Sequence, residues 1–143
     1  MKPDTENIYQ RKINQVIDYI NANLHLPLRL DIIAGQVNVS EQQLLRIMKG
    51  ALNESLYAYV ARQRVERAVL YMHTEDMSLA DLASRVGYDN PQSFSKAFKK
   101  QFSVSPKAYM DKLRARLREE TEKWSNASVG KEIIPSGMFG TIR

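Results

Sequence analysis

The chain has 143 residues, 43% of them hydrophobic, and a formal net charge of +5, which suits one compact domain with a core of moderate size. No apolar run reaches the roughly 18 residues of a membrane span, and the polar N-terminus MKPDTENIYQ holds no apolar signal segment, so we expect a cytosolic protein. Cysteine is absent, which excludes disulfides and thiolate metal sites, and His25 and His73 are too far apart in the sequence to predict a metal or catalytic pair.

Apolar residues with helical spacing predict an all-helical chain of about seven helices, with no convincing strand before residue 131. The first helix is expected near residues 7–24, and Pro27 closes the loop after it. A short helix over about 29–37 follows, and a turn then leads into a helix over 41–52.

The helix over 41–52 has well-marked ends. Ser40 and Gln43 predict a capping box at its start, because each side chain can pair with a backbone amide that the helix leaves free. Asn53 stands where the chain leaves the helix, and asparagine tolerates the left-handed conformation used there. A long helix over about 56–73 comes next and, at about 1.5 Å per residue, spans about 27 Å. That length approaches the 34 Å or so between successive major-groove faces of B-DNA.

The second half of the chain repeats this plan. Ser78 caps one helix, Gly87 lies in a turn, and Asn90 and Pro91 are the cap and first residue of the next helix. The last helix begins at Ser105 and Pro106 and is expected to reach about Trp124. The three helices predicted here cover about 79–86, 91–102 and 106–124.

The repeat is visible residue by residue. The first copy runs through Leu30, Ile33, Ala34, Val37, Leu44, Met48, Leu52, Ser55 and Tyr59. The second copy runs through Leu79, Leu82, Ala83, Val86, Phe94, Phe98, Phe102, Ser105 and Tyr109. The offset changes from 49 to 50 after Val37 and Val86, so one residue is inserted in the turn of the second copy. Each copy has the pattern of a helix-turn-helix, and a pair of such units is suited to reading two stretches of a DNA duplex.

Basic residues are concentrated in one segment. Residues 85–118 hold nine basic and two acidic side chains, whereas residues 29–84 hold six and seven. A polyanion is the natural partner of such a concentration. The alternative is a solvated helix face, which we favour for residues 114–118 taken alone.

The second helix of each copy has an apolar face and a polar face. In the first copy the apolar face carries Leu44, Ile47, Met48 and Ala51, and Glu41, Gln42, Leu45, Arg46 and Lys49 lie opposite. In the second copy the outward set is Pro91, Gln92, Ser95, Lys96 and Lys99. Glutamine can pair with adenine, and arginine or lysine with guanine. The same side chains would be normal on any solvated helix, and it is the repeat that favours DNA.

The stretch RVERAVLYMHTEDMSLADLASRVGYDNPQSFSKAFKKQFSVSPKAY resembles the signature of the AraC/XylS family of bacterial transcription factors. The preceding LDIIAGQVNVSEQQLLRIMKGALNESLYAYV resembles the family's first helix-turn-helix, and the likeness covers about residues 8–112. It implies a homeodomain-like domain of two helix-turn-helix units joined by a long helix, with a recognition helix of each unit in the major groove. It also implies action at promoters as a monomer or dimer, often as an activator that touches RNA polymerase.

On this resemblance the candidate residues divide into two groups. Base reading is assigned to Gln42, Leu45, Arg46, Gln92, Ser95 and Lys96. Phosphate contacts are assigned to Ser40, Lys49, Lys99 and Lys107. We expect no cofactor, no metal and no catalytic residue.

The chain departs from the family pattern at four positions. Met48 replaces the usual phenylalanine, and Asn53 and Ser103 stand where glycine is common, so both turns are expected to be less favourable. Leu45 is expected to face outward where a polar residue is usual. It would then contact a thymine methyl group, or the first unit would read bases less than the second.

Residues 1–124 are therefore predicted to be the DNA-binding domain, and residues 125–143 to be of another kind. SNASVGK looks like a polar, flexible connection, and EIIPSGMFGTIR like the first strand and turn of a further domain. Some family members carry a ligand-sensing domain after the DNA-binding domain, which would bring a small-molecule inducer. A shortened chain or an unstructured end is the alternative.

The sequence as a whole predicts a bacterial, nucleoid-associated transcription regulator that binds double-stranded DNA in a sequence-specific way. Two other classes stay open: a non-specific nucleoid protein, which would use the same charge on all duplexes, and a helical protein-interaction module with little salt dependence. An enzyme is disfavoured because no paired acid, metal cluster or nucleophile with a base is present.

Overall fold

The computed structural model describes residues 3–130, with side chains from residue 7 to residue 126. Over these residues the chain forms seven α-helices and no strand, which confirms the predicted all-helical fold. The helices are α1 (Pro3–Ala22), α2 (Leu30–Gln36), α3 (Glu41–Leu52), α4 (Leu56–Thr74), α5 (Leu79–Arg85), α6 (Pro91–Phe102) and α7 (Pro106–Gly130).

Two helices are longer than the sequence predicts. Helix α1 begins at Pro3 rather than near residue 7, and proline is well suited to the first position of a helix. Helix α7 continues to Gly130 rather than ending near Trp124, so residues 125–130 are helical and not a flexible connection. The stretch contains no proline, and adding a residue to an existing helix costs far less than starting one. The predicted strand and turn in residues 131–143 lie outside the described residues.

The predicted starts of α3, α5 and α6 are confirmed. Ser40 Oγ accepts a hydrogen bond from Gln43 N at 3.1 Å, and Ser40 N donates to Gln43 Oε1 at 3.1 Å, which completes the capping box. Ser78 and Asn90 accept from the third residue of α5 and α6 respectively, and Pro91 opens α6. Each cap pairs an amide that the first helical turn cannot satisfy.

Both α3 and α6 end in a left-handed residue that is not glycine. Asn53 follows α3 with φ 57° and Ser103 follows α6 with φ 63°. The turn inside the first helix-turn-helix is made by Asn38 with φ 57°, and that of the second by Gly87 with φ 101°. These are the positions that the sequence assigns to the turns and helix ends.

The buried residues before residue 61 form one core, made of Val16, Ile20, Leu24, Ile33, Ala34, Val37, Leu44, Met48, Leu56, Tyr59 and Val60. Helix α4 continues into the second half of the chain, where its Val65, Ala68 and Met72 are buried. The other buried residues of this half include Leu82, Ala83, Val86, Phe94 and Phe98. Because α4 packs on α3, α5 and α6, one helix belongs to both helix-turn-helix units.

The chain divides into two compact parts, Met1–Pro106 and Lys107–Arg143. Both helix-turn-helix units, α2 with α3 and α5 with α6, lie in the first part. None of the helices in residues 3–130 is long and apolar enough to cross a bilayer.

Candidate nucleic-acid interface

Helices α3 and α6 are each the second helix of a helix-turn-helix, and each is anchored by two fully buried side chains. Leu44 and Met48 hold α3 in the first core, and Phe94 and Phe98 occupy the equivalent places on α6. The two phenylalanine rings lie 5.9 Å apart, edge to face, a favourable geometry for aromatic pairs. The opposite face of each helix is therefore turned to solvent.

On α3 the structure exposes Gln42, Arg46 and Lys49, as the sequence predicts. Leu45 differs, because it is half-buried and packs against the first core, so only its outer edge is available to a partner. Ala51 was expected on the apolar face and is exposed. The core reaches the last turn of α3 through its neighbour Leu52 instead.

On α6 the exposed side chains are Gln92, Lys96 and Lys99, and Ser95 is half-buried. Lys100 is also exposed, and the sequence reading left it out of the site. Its place next to Lys99 in the last turn of α6, within the basic segment, was the signal that could have included it.

Two candidate phosphate contacts have other partners in the structure. The Ser40 hydroxyl takes part in the capping box, so it is already committed to Gln43. Lys107 lies in the second compact part, where its Nζ is 3.3 Å from Asp111 Oδ2 across one turn of α7. Exposed pairs of this kind contribute little to stability, so the Lys107 side chain is easily freed.

The cations of the recognition helices differ from several arginines elsewhere that pair with carboxylates. Arg62 pairs with Glu54 at 2.6 Å and with Glu66 at 3.1 Å, and the hydrogen bond to Glu54 raises the pKa of Arg62. Arg85 pairs with Glu75 at 2.9 Å, and its pKa is raised by the same kind of bond. Within the part of the chain that the structure describes, no carboxylate pairs with Arg46, Lys49, Lys96 or Lys99.

No sequence motif predicts a role for Arg64, on α4, or for Tyr88, in the turn of the second unit. Both side chains are half-buried, and together they join the two units. Burial lowers the pKa of Arg64 and raises that of Tyr88. The change of offset from 49 to 50 in the repeat was the only hint that this turn carries something extra.

No group of three or more His, Asp or Glu side chains in the described residues is placed to hold a metal ion. The arrangement offers hydrogen-bond donors, amides and free cations on two similar helix faces, which is a binding surface.

Comparison with known proteins gives the same picture. Residues 33–112 match a family described as a helix-turn-helix domain. The chain is 28% identical to regulatory protein SoxS of Escherichia coli over 105 residues, which are 73% of this chain and 98% of SoxS. It is 29% identical to transcriptional regulator Rob of Salmonella typhimurium over 136 residues, 91% of this chain but 44% of Rob. It also spans only 44% of YkgA, a putative regulator of E. coli.

Solved structures agree in fold. The DNA-binding domain of AdpA, solved in complex with a target DNA, has a TM-score of 0.69 and 25% identity, over 73% of this chain and 94% of that one. An AraC-type regulator from Chromobacterium violaceum has a TM-score of 0.66 and 26% identity, over 71% and 91%. The C-terminal domain of AraT from Geobacillus stearothermophilus has a TM-score of 0.65 and 32% identity, over 73% and 84%.

Proposed function

The chain belongs to the AraC/XylS family of sequence-specific DNA-binding transcription regulators, and we propose that its α3 and α6 read two adjacent segments of the major groove at bacterial promoters. The observation that carries this proposal is the pair of equivalent, exposed helix faces with unpaired cations. Salt bridges elsewhere in the described residues neutralise several arginines, whereas the cations exposed on α3 and α6 have no carboxylate partner there and are available to a polyanion.

The roles follow from position along each recognition helix. The first half of such a helix reaches the base edges, so Gln42 and Arg46 on α3, and Gln92 and Lys96 on α6, are assigned to bases. Leu45 and Ser95 complete the base-reading set at its half-buried inner edge.

Phosphate contacts are assigned to residues at the ends of these helices, namely Lys49 and Lys99 in the last turns and Ser40 at the start of α3, and also to Lys107 in the first turn of α7. Such contacts position a protein on the duplex without reading its sequence. Lys100 joins this group because it is exposed beside Lys99.

Further partners belong to the same proposal. Residues 1–124 would form the DNA-binding domain, and the residues after it would lead toward a ligand-sensing domain that carries a small-molecule inducer. The alignment with Rob supports this, because it includes more of this chain than the alignment with SoxS does. We also propose that the protein contacts RNA polymerase and activates transcription, and that it lies in the bacterial cytoplasm, on the nucleoid.

Selection of bound sites from random duplex DNA, followed by a salt titration, tests the function. We expect a motif with two informative patches centred about 10 base pairs apart. The logarithm of the binding constant should fall with the logarithm of salt, with a slope of about −0.9 for each phosphate neutralised. Steep salt dependence without any motif would identify a non-specific nucleoid protein instead. Absence of DNA binding at low salt would point to a protein-interaction module.

A further inference from the structure

A cluster of contacts away from the recognition helices joins the end of α1 to the second helix-turn-helix. It consists of Leu24 and Leu26, which follow α1, Arg64 in the middle of α4, and Gly87 and Tyr88 in the turn between α5 and α6. We call these five residues the inter-unit tie. All of them lie in the compact part Met1–Pro106.

Arg64 is the centre of the tie. Its Nε donates to Leu24 O at 3.0 Å and its Nη2 donates to Leu26 O at 2.8 Å. These carbonyls come just after the end of α1, where no further helical turn supplies donors. Hydrogen bonds from a charged donor are stronger than neutral ones, and a planar guanidinium fixes the direction of both. The end of α1 is therefore held at a defined position on α4.

Gly87 brings the second unit against the same point. With φ 101° it has a conformation that side-chain-bearing residues rarely adopt, and a Cβ there would overlap Leu24 O and lie 2.9 Å from Arg64 Nε. The backbone of the second turn thus touches the backbone at the end of α1, with the Arg64 side chain beside the contact. Only glycine allows so close an approach.

Tyr88 carries the contact on to the second recognition helix. Its ring centroid is 5.6 Å from the Arg64 guanidinium carbon and 5.8 Å from the ring centroid of Phe94. Phe94 is fully buried in the first turns of α6. A continuous series of contacts therefore runs from the residues after α1, through Arg64 and Tyr88, to Phe94 in α6.

We infer that the inter-unit tie fixes the rotation and distance between α3 and α6, so that Arg64 is a positioning residue that determines which spacing of the two base-pair patches the protein accepts. This inference rests on the proposed function. Helix α4 also connects the two units through apolar side chains, whose packing is non-directional, and through one ion pair with each unit, Arg62 with Glu54 and Glu75 with Arg85. The tie adds directional bonds and a backbone contact that only one orientation satisfies.

A measurement without DNA tests the geometry directly. The chain has no cysteine, so spin labels can be attached to Gly50→Cys and Lys100→Cys, at equivalent places near the ends of α3 and α6. Lys100 is exposed, and a Cβ at Gly50 would meet no atom within 4 Å. The distance distribution between the labels, measured by double electron–electron resonance, should be narrow in the doubly labelled protein. In the Arg64→Ala background it should broaden to about twice that width.

The matched control is Arg62→Ala, which removes the same charge from the same helix. Its partners are Glu54, Glu66 and the ring of Tyr59, none of which belongs to the tie. We expect this change to leave the distance distribution unaltered. Arg64→Lys keeps the charge but has one donor nitrogen in place of the two that bond Leu24 and Leu26, so it should give an intermediate width. This variant decides the question if Arg64→Ala fails to fold.

A second measurement tests the consequence for DNA. Duplexes carry both selected patches at the selected spacing, at one base pair more or fewer, or one patch alone. Arg64→Lys should reduce the preference for the selected spacing by about fivefold, the equivalent of one hydrogen bond, and Arg64→Ala, which removes both hydrogen bonds, should reduce it further. Binding to a single patch should stay within about twofold of the unaltered protein.

The outcomes separate the two claims. A wild-type distance distribution and spacing preference in the folded Arg64 variants would overturn the inference while leaving the proposed function intact. Failure of the unaltered protein to bind any duplex would overturn the proposed function, and the spin-label distances would still decide whether the tie fixes α3 relative to α6. Loss of spacing preference in Arg62→Ala as well would show a charge effect and count against the tie.

Discussion

At the scale of single residues, position along α6 distinguishes side chains proposed to contact bases from those proposed to contact phosphates. Gln92 lies in the first turn of α6 and Lys99 in the last, on the same exposed stripe two turns apart. The first turn of a recognition helix approaches base edges, whereas a flexible lysine two turns later reaches the phosphates. Removing the Gln92 side chain and removing the Lys99 side chain should therefore have different effects on DNA binding.

Gln92→Ala should relax the preference at particular base pairs, at a cost of about 1–3 kcal/mol for the matched duplex only. Lys99→Ala should weaken all duplexes about equally and reduce the salt slope by about one unit. Binding titrations at several salt concentrations, on matched and single-base-pair variant duplexes, distinguish these patterns. A uniform loss for Gln92→Ala would contradict its assignment to a base.

At the scale of the elements, both recognition helices end in a residue that must adopt a left-handed conformation. The conformation costs an ordinary residue about 1–2 kcal/mol, less for asparagine, whose side chain can bond locally. Ser103 after α6 therefore carries more strain than Asn53 after α3, although their φ angles are similar. The end of α6 is therefore expected to be less stable than the end of α3, with the same backbone conformation.

Ser103→Gly should accordingly raise the free energy of unfolding, by up to about 1 kcal/mol after the extra chain entropy of glycine is subtracted. Asn53→Gly should give a smaller gain, and Asn38→Gly, at the same φ of 57°, is its control. Urea unfolding followed by circular dichroism measures all three. An equal or larger gain at Asn53 would show that the strain argument is wrong for Ser103.

At the scale of the whole molecule, the two recognition helices lie in one compact part and share α4. Helix α4 has 19 residues and cannot stretch, so the two patches of a site must keep their phase along the duplex. Inserting five base pairs moves the second patch to the opposite face of the DNA, about half a turn away.

We therefore expect this insertion to reduce binding to that of a single patch. Arg46→Ala should then lower affinity only for sites with a matched first patch, by about 1–3 kcal/mol if Arg46 pairs with guanine. Lys96→Ala should act in the same way on the second patch. If Arg46→Ala leaves site preference unchanged while Lys96→Ala alters it, the first unit is a phosphate clamp, which the half-buried Leu45 would explain.

The helix order, the caps at Ser40, Ser78 and Asn90 and the left-handed Asn53 were predictable from the sequence and are confirmed. These features depend on residues within a few positions of one another, where the geometry of a helical turn leaves few choices. The residues proposed to contact DNA stay predictions, because exposure alone does not show what a side chain binds.

The sequence by itself determined the repeat, and with it the two helix-turn-helix units and the family. The spacing of apolar residues and the residues of the turns are local patterns, and both occur twice in the chain. Only the tertiary structure showed that Leu45 packs against the core. It also showed that Arg64 donates hydrogen bonds to the carbonyls of Leu24 and Leu26, about forty positions away. The sequence predicted Gly87 to be a turn residue. The structure shows that the missing side chain of Gly87 also leaves room for the backbone oxygen of Leu24, just after α1. Contacts between distant segments depend on how the finished helices pack, and no local pattern of residues records that.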